Sequence, residues 1–203
     1  MSSTPLPPPH LQTPKHPWLK GWYQFAQRID SPHFGPRPQG ARVDLLVMHS
    51  ISLPPGVYQG DAVIRFLTGQ PQTIEHPYLE TIKALKVSAH FFIRRQGELI
   101  QMVSCDDKAW HAGVSHYRGR DQCNDDSIGI ELEGLEGQSF EPEQYETLTS
   151  LCASLLKHYP IQHLAGHEHI APDRKKDPGP GFLWDQFQKS LGLSDAFFPS
   201  FDK

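Results

Sequence analysis

Val43-Asp44-Leu45-Leu46-Val47-Met48 is a short apolar run that ends at a histidine, His49. Leu53-Pro54-Pro55-Gly56 follows it and forces a turn, so we predict a buried strand. The end of a strand holds a side chain rigidly, as a metal ligand requires. Taken alone, a histidine in this position is more often structural than a ligand, so His49 is a candidate that needs partners.

Three helical patterns follow this strand in the sequence. Residues 61–67 suggest a short helix that stops near Gly69. Residues 141–159 are most clearly helical, because apolar side chains recur there at helical spacing and Pro142 suits the first turn. This apolar stripe consists of Tyr145, Leu148, Leu151, Cys152, Leu155 and Leu156. Residues 184–191 indicate a short closing helix.

Strand patterns are interleaved with these helices. Residues 87–93 and 99–103 flank Arg95-Gln96-Gly97 and predict a hairpin. Residues 127–133 alternate, with Glu131 and Glu133 on the polar side of an otherwise apolar strand. The predicted fold class is therefore mixed α/β, a central mixed β-sheet flanked by helices.

Composition bounds the domain organisation. The chain has 203 residues, enough for one domain with a sizeable core. Residues 1–17 are rich in proline and lack periodicity, so we predict a disordered tail there. The expected domain covers residues 18–195, and residues 196–203 are expected to form a C-terminal tail.

Charge and hydropathy exclude several classes of partner. The net charge is −4 with no basic run, so nucleic acid is not expected as a partner. No segment approaches the roughly 20 apolar residues that cross a bilayer, and no targeting signal is visible. We expect a cytoplasmic monomer without a membrane partner. The three cysteines are far apart and odd in number, which disfavours disulfides and a thiolate zinc site.

The stretch of residues 166–180 concentrates the chemistry of the chain. It places two imidazoles, a carboxylate before a proline and an amine in a loop stiffened by three prolines. Imidazole and carboxylate suit zinc, and three such ligands leave its fourth position for water. The spacing does not choose between His167 and His169, or between Asp173 and Asp177.

Glu131 is a second candidate. A carboxylate on the polar face of a strand is most simply solvated, and we expect this of Glu133. The alternative places Glu131 beside the metal as a general base, which takes a proton from water and passes it to a leaving amine.

The chain resembles the zinc-dependent type 2 N-acetylmuramoyl-L-alanine amidases, in particular their cytoplasmic members that act on anhydro-muropeptides. The similarity runs from about Gly21 to Phe187. The motifs that carry it, in order, are Ser31-Pro32-His33, Leu46-Val47-Met48-His49, Ile51-Ser52-Leu53-Pro54-Pro55-Gly56, Val87-Ser88-Ala89-His90, Ala109-Trp110-His111-Ala112-Gly113-Val114-Ser115, Cys123-Asn124-Asp125, Ser127-Ile128-Gly129-Ile130-Glu131-Leu132-Glu133-Gly134 and the stretch of residues 166–180.

The resemblance implies a role for each candidate. His49, His167 and Asp177 would bind Zn²⁺, Glu131 would be the catalytic carboxylate, and Lys175 would stabilise the transition state. The implied fold is the one shared with peptidoglycan recognition proteins. The implied reaction hydrolyses the amide bond between (anhydro-)N-acetylmuramic acid and L-alanine, during peptidoglycan recycling. Intact peptidoglycan as the substrate is the alternative, and a non-catalytic muropeptide-binding module is a third reading.

Four further residues are candidate contacts to this small-molecule substrate, an anhydro-muropeptide. Trp110 and His111 would form a wall for the sugar or the peptide, and Arg120 and Lys86 would clamp carboxylates. The chain also departs from its relatives, which have asparagine where Ser50 stands and arginines where Lys86 and Gln122 stand. Lysine keeps the charge without the bidentate geometry, and glutamine keeps neither. We therefore expect altered discrimination among stem peptides.

Overall fold

The computed structural model describes residues 16–199. Short strands alternate with helices along these residues. The strands are β1 (Trp18–Leu19), β2 (Trp22–Tyr23), β3 (Gln27–Arg28), β4 (Phe34–Gly35), β5 (Leu45–Ile51), β6 (Phe91–Ile93), β7 (Leu99–Gln101), β8 (Lys108–Ala109), β9 (His116–Tyr117), β10 (Arg120–Asp121), β11 (Ser127–Glu133) and β12 (His163–Gly166). The helices are α1 (Ala62–Leu67), α2 (Pro77–Ile82), α3 (Pro142–His158), α4 (His167–Ile170) and α5 (Trp184–Leu191).

A six-stranded sheet of order β12-β5-β11-β6-β7-β3 forms the centre of the fold. Strands β12, β5, β11 and β6 pair in parallel, whereas β6 and β7 form the antiparallel hairpin. The predicted mixed α/β class is confirmed. Strand β5 continues to Ile51, so His49 lies inside the strand and not at its end, because β11 pairs with β5 along its whole length.

The longest helix covers one face of this sheet. Helix α3 begins at Pro142, after a capping box formed by Glu141 and Gln144. Its buried stripe packs with helix α5 on the side chains of β5 and β11 that point to this face, Leu46, Met48, Ile128, Ile130 and Leu132. Each fully buried leucine or isoleucine contributes about 1.5–3 kcal/mol, so this face holds the central strands in register.

The opposite face is covered by shorter pieces. Helices α1 and α2 pack on Phe92 and Ile100, while residues from the segment 112–123 pack on Leu45 and Val47 of β5 and Ala165 of β12. Sequence patterns did not indicate α2, although His76 caps its N-terminus and Pro77 opens it. Leu79 is its only buried residue, so the helix presents no apolar stripe that the sequence could reveal.

Two expectations about exposed segments need correction. Glu133 is only 2% exposed, and its carboxylate accepts a hydrogen bond of 3.0 Å from the backbone N–H of Arg95, so it is not solvated. Arg95 lies between β6 and β7, so a segment distant in sequence supplies the partner that alternation alone could not show. The stretch after Gly166 is likewise not all loop, because α4 starts at His167.

The packed chain also extends beyond the predicted boundary at residue 195. Phe198 is 3% exposed, and its ring lies 6.2 Å from that of Trp184. Most of the predicted N-terminal tail, residues 1–15, lies outside the described residues, as do residues 200–203. Within residues 16–199, no helix combines the length and apolar character needed to cross a bilayer.

Candidate active site

Three side chains distant in sequence meet above the sheet. His49 comes from β5, and His167 follows directly on the edge strand β12, which pairs with β5. The Nδ1 atoms of His49 and His167 are 3.0 Å apart, and each lies 3.2 Å from Oδ2 of Asp177. Their ligand atoms all lie within 4.8 Å of one another, so the three residues could hold a metal ion.

The two alternatives that sequence spacing left open are placed elsewhere. Nδ1 of His169 accepts a hydrogen bond of 2.8 Å from the backbone N–H of Gly166, so this ring fastens the start of α4. Asp173 is exposed at the edge of the cavity above the three residues. The geometry therefore brings together His167 and Asp177, the pair that the resemblance implied.

Both imidazoles of this group have a second partner. The Nε2–H of His167 donates to the carbonyl of Ala112 at 3.1 Å, and Nε2 of His49 lies 3.0 Å from Nδ1 of His111. Such partners orient the ring of a metal-binding histidine. Burial and the neighbouring His167 lower the pKa of His49 to about 4, so its imidazole is neutral near pH 7 and can offer a lone pair.

Glu131 lies next to this group. Its Cα partner in the parallel pairing is His49, so both side chains project from the same face of the sheet. Glu131 is 8% exposed, and its Oε2 is buried without a hydrogen-bond partner among residues 16–199. Burial, helped by Asp177 and opposed by Lys175, raises the pKa of this carboxyl well above its usual value. A buried carboxylate without a partner is costly to keep, which points to a chemical role.

A cavity of about 830 Å³ opens over these groups. Its polar side carries Glu131, His167, Lys175 and Asp177. The opposite wall is apolar and comes from α1, α2 and the turn that follows, with Phe66, Tyr78, Ile82, Leu85 and Val87. Volume and mixed lining suit a small molecule with polar and apolar parts.

The predicted substrate residues fall into different places. His111 lines the cavity, but it is only 9% exposed and its ring contacts His49. Trp110 is half-buried and stacks on His33 with ring centres 6.0 Å apart, outside the cavity lining. Lys86 is exposed between two lining residues but is not itself one of them. Substrate contact by Trp110 and Lys86 stays a prediction.

Arg120 forms ion pairs away from the residues that line the cavity, and its predicted contact with the substrate stays a prediction. Its guanidinium binds the carboxylates of Asp44 and Asp126 at 2.7 and 2.6 Å. These residues directly precede β5 and β11, so the ion pairs lie at the amino ends of the two strands, whereas His49 and Glu131 lie towards the carboxyl ends. The carboxylates of Asp44 and Asp126 already occupy the guanidinium N–H groups of Arg120 that a substrate carboxylate would need.

Two polar residues close to the site had no role predicted from the sequence. Oδ1 of Asn124 accepts hydrogen bonds from the backbone N–H groups of His111 (3.1 Å) and Ala112 (2.8 Å). Oγ of Ser127 lies 3.1 Å from Nε2 of His111. Both residues lie in quoted motifs, but only the folded chain brings Asn124 to the backbone of His111 and Ser127 to its ring.

A family model described as N-acetylmuramoyl-L-alanine amidase (Amidase_2) matches residues 39–180, a range that includes every residue of this site. The chain belongs to the N-acetylmuramoyl-L-alanine amidase family. This amidase is 47% identical to the 1,6-anhydro-N-acetylmuramyl-L-alanine amidase AmpD of Salmonella typhimurium (strain SL1344) over 177 residues, 86% of this chain and 95% of the relative.

Solved structures agree with this family. A crystal structure of a selenomethionine AmpD derivative superposes with a TM-score of 0.82 at 46% identity, covering 85% of this chain and 97% of the other. The amidase AmiD from E. coli, in complex with the substrate anhydro-N-acetylmuramic acid-L-Ala-D-gamma-Glu-L-Lys, gives a TM-score of 0.56 at 29% identity over 76% of this chain and 60% of the other. The expected amidase fold is confirmed.

Proposed function

We propose that this protein is a zinc-dependent amidase that cleaves the bond between the lactyl carbonyl of anhydro-N-acetylmuramic acid and L-alanine in muropeptides, during peptidoglycan recycling. One observation carries the proposal. His49, His167 and Asp177 converge within 4.8 Å beside a buried, unpartnered Glu131. The similarity to AmpD supports the substrate.

The donor set fits zinc. Two imidazole nitrogens and one carboxylate oxygen are a known hydrolytic zinc set that leaves one position open. When bound, zinc supplies a Lewis acid that lowers the pKa of water from 15.7 towards about 7 and polarises a carbonyl. The second partners of both histidines, His111 and the carbonyl of Ala112, hold the rings in place for it.

Glu131 moves the protons in this scheme. Its Oε2 is buried and free to accept the proton of the attacking water, and the same atom then gives that proton to the amine of the leaving L-alanine. Its raised pKa makes the carboxyl a better base than a solvated glutamate. Lys175 lines the same cavity, and its ammonium would stabilise the negative charge that develops on the carbonyl oxygen.

The cavity supports an assignment of its two sides. The polar side around Glu131 and Lys175 would hold the scissile amide. The apolar wall from Phe66 to Val87 would exclude water and contact the sugar or the peptide. We propose a cytoplasmic monomer, as expected from the sequence.

Purified protein tests the proposal when it is offered anhydro-muramyl tripeptide and intact sacculi in parallel, with products identified by mass. We expect release of free stem peptide from the soluble substrate, loss of turnover with a chelator, and recovery with zinc. Turnover that survives complete removal of metal would refute the zinc mechanism. Release from sacculi alone would assign the protein to intact peptidoglycan.

A further inference from the structure

The protons on the two candidate zinc histidines are set by their second partners. A carbonyl oxygen only accepts hydrogen bonds, so the contact of His167 with Ala112 requires the proton on Nε2. Nδ1 of His167 is then a lone pair aimed at the site. His49 must likewise carry its proton on Nε2 if Nδ1 is to bind a metal. Its Nε2 contacts an imidazole nitrogen of His111, however, and such a nitrogen can either donate or accept.

Ser127 decides which of His49 and His111 donates the hydrogen bond between them. The Oγ of Ser127 makes a short hydrogen bond to the carbonyl of Cys123, which uses its single proton. Towards His111, Ser127 therefore accepts, and Nε2 of His111 carries the hydrogen over 3.1 Å. Nδ1 of His111 is left as an acceptor, so His49 must donate from Nε2 over 3.0 Å. Nδ1 of His49 then keeps its lone pair for a metal.

The ring of His111 is fixed in this position by its surroundings. It lies against the backbone of Gly129, where a Cβ atom would come within 2.4 Å of the ring. Asn124 holds the backbone on either side of it, through the N–H groups of His111 and Ala112. A ring that cannot turn over keeps Nδ1 towards His49 and Nε2 towards Ser127.

We propose that His111 is a positioning residue, which together with Ser127 holds His49 in the tautomer that binds zinc. This inference rests on the proposed metal-binding role of His49, and it replaces the predicted role of His111 as a wall for the substrate. Two adjacent residues then orient the two candidate zinc ligands. His111 binds His49 through its side chain, and Ala112 binds His167 through its carbonyl.

Zinc affinity of the metal-free, folded protein tests the proposal, measured by competition with a chromophoric chelator at fixed pH. His111→Leu removes the acceptor at similar volume, and we expect the Kd for zinc to rise about 10–100-fold. His111→Asn keeps an oxygen near the place of Nδ1 and should recover most of the affinity. Ser127→Ala removes only the hydroxyl that sets the donor and acceptor roles in this row of hydrogen bonds, and should weaken zinc binding by a smaller factor.

His90→Leu is the matched control. His90 is a buried imidazole whose ring lies 5.8 Å from that of His111, and its Nδ1 accepts from the backbone N–H of Gly129, but it does not contact His49, His167 or Asp177. Its replacement should lower the melting temperature and leave the Kd for zinc within about 2-fold.

The outcomes distinguish failure of the positioning role of His111 from failure of the proposed function. Unchanged zinc affinity in both His111→Leu and Ser127→Ala overturns the positioning role while the proposed function stands. An equal loss in His111→Leu and His90→Leu also overturns it, because packing alone would then explain the effect. A wild-type protein that binds no zinc overturns the proposed function and this inference together. If His111→Leu does not fold, the comparison of His111→Asn and Ser127→Ala with wild type decides.

Discussion

Replacing Glu131 by glutamine should lower activity and raise stability in the same protein. Glutamine keeps the shape of the side chain but neither accepts the proton of water nor carries charge. Position-specific proton transfer contributes about 10²–10⁴-fold to rate, so we expect kcat to fall by this factor. In free energy this is about 3–5 kcal/mol of transition-state stabilisation, at 1.36 kcal/mol per factor of ten.

The stability effect follows from the burial of the same carboxyl. Its folded-state pKa is raised, first by burial and then by Asp177. A group whose pKa is higher in the folded state contributes its full stabilisation at pH values below its unfolded-state pKa. This contribution is lost as the pH rises through the folded-state pKa. Metal-free Glu131→Gln should therefore be more stable than wild type at pH 7, because the amide cannot carry the charge that burial disfavours. The difference should shrink as the pH falls from 7 towards 4.5, the ordinary pKa of a glutamate carboxyl, and should stay constant at lower pH.

The assay pairs steady-state kinetics of the zinc-loaded protein with urea unfolding of the metal-free protein at pH 4 and pH 7. Glu133→Gln is the control, because Glu133 lies two residues along the same strand, is also buried, and accepts a hydrogen bond that glutamine can still accept. It should keep kcat within about 2-fold. Near-normal turnover in Glu131→Gln would remove Glu131 from its catalytic role. Lower stability of that variant at pH 7 would refute the account of its burial.

Three other perturbations have definite expected outcomes. Removal of metal by a chelator should lower the melting temperature as well as activity, and zinc at 1,000 times its Kd should restore about 4 kcal/mol of unfolding free energy; an unchanged melting curve would contradict the metal site. Lys175→Met should reduce kcat by about 10²–10³-fold with little change in KM, if its ammonium acts on the developing charge; a change in KM alone would assign it to substrate binding. Arg120→Ala should leave kcat and KM within about 2-fold and cost about 1 kcal/mol of stability through loss of its pairs with Asp44 and Asp126; a large rise in KM would restore its predicted role.

Elements with a clear period were predictable from the sequence. Residues 127–133 and 184–191 form β11 and α5 with the predicted bounds, and the helix predicted over residues 141–159 is α3, Pro142–His158, flanked by its caps. In each case a local pattern of side chains encodes the element. The short helix α2 has no such period and was missed.

The site was less predictable, because tertiary pairing builds it. His49 and His167 are 118 positions apart in sequence, and only the pairing of β12 with β5 brings them together. Spacing alone left His167 and His169 equivalent, and the family resemblance chose between them. Glu133 was misjudged because alternation does not show which segment lies beside a strand, and substrate contact by Arg120 stays a prediction. The expected effect of Lys86 and Gln122 on stem-peptide discrimination stays a prediction.

The in-register pairing of His49 with Glu131 has an evolutionary consequence. A slip of one residue between β5 and β11 would turn either side chain to the opposite face and push Ile130 or Met48 out of the core. The spacing of ligand and base is thus protected by the hydrophobic core, whose loss would unfold the protein. The side chains of α1 and α2 that line the cavity take no part in this pairing, so substitutions there can change specificity while the spacing of ligand and base is preserved.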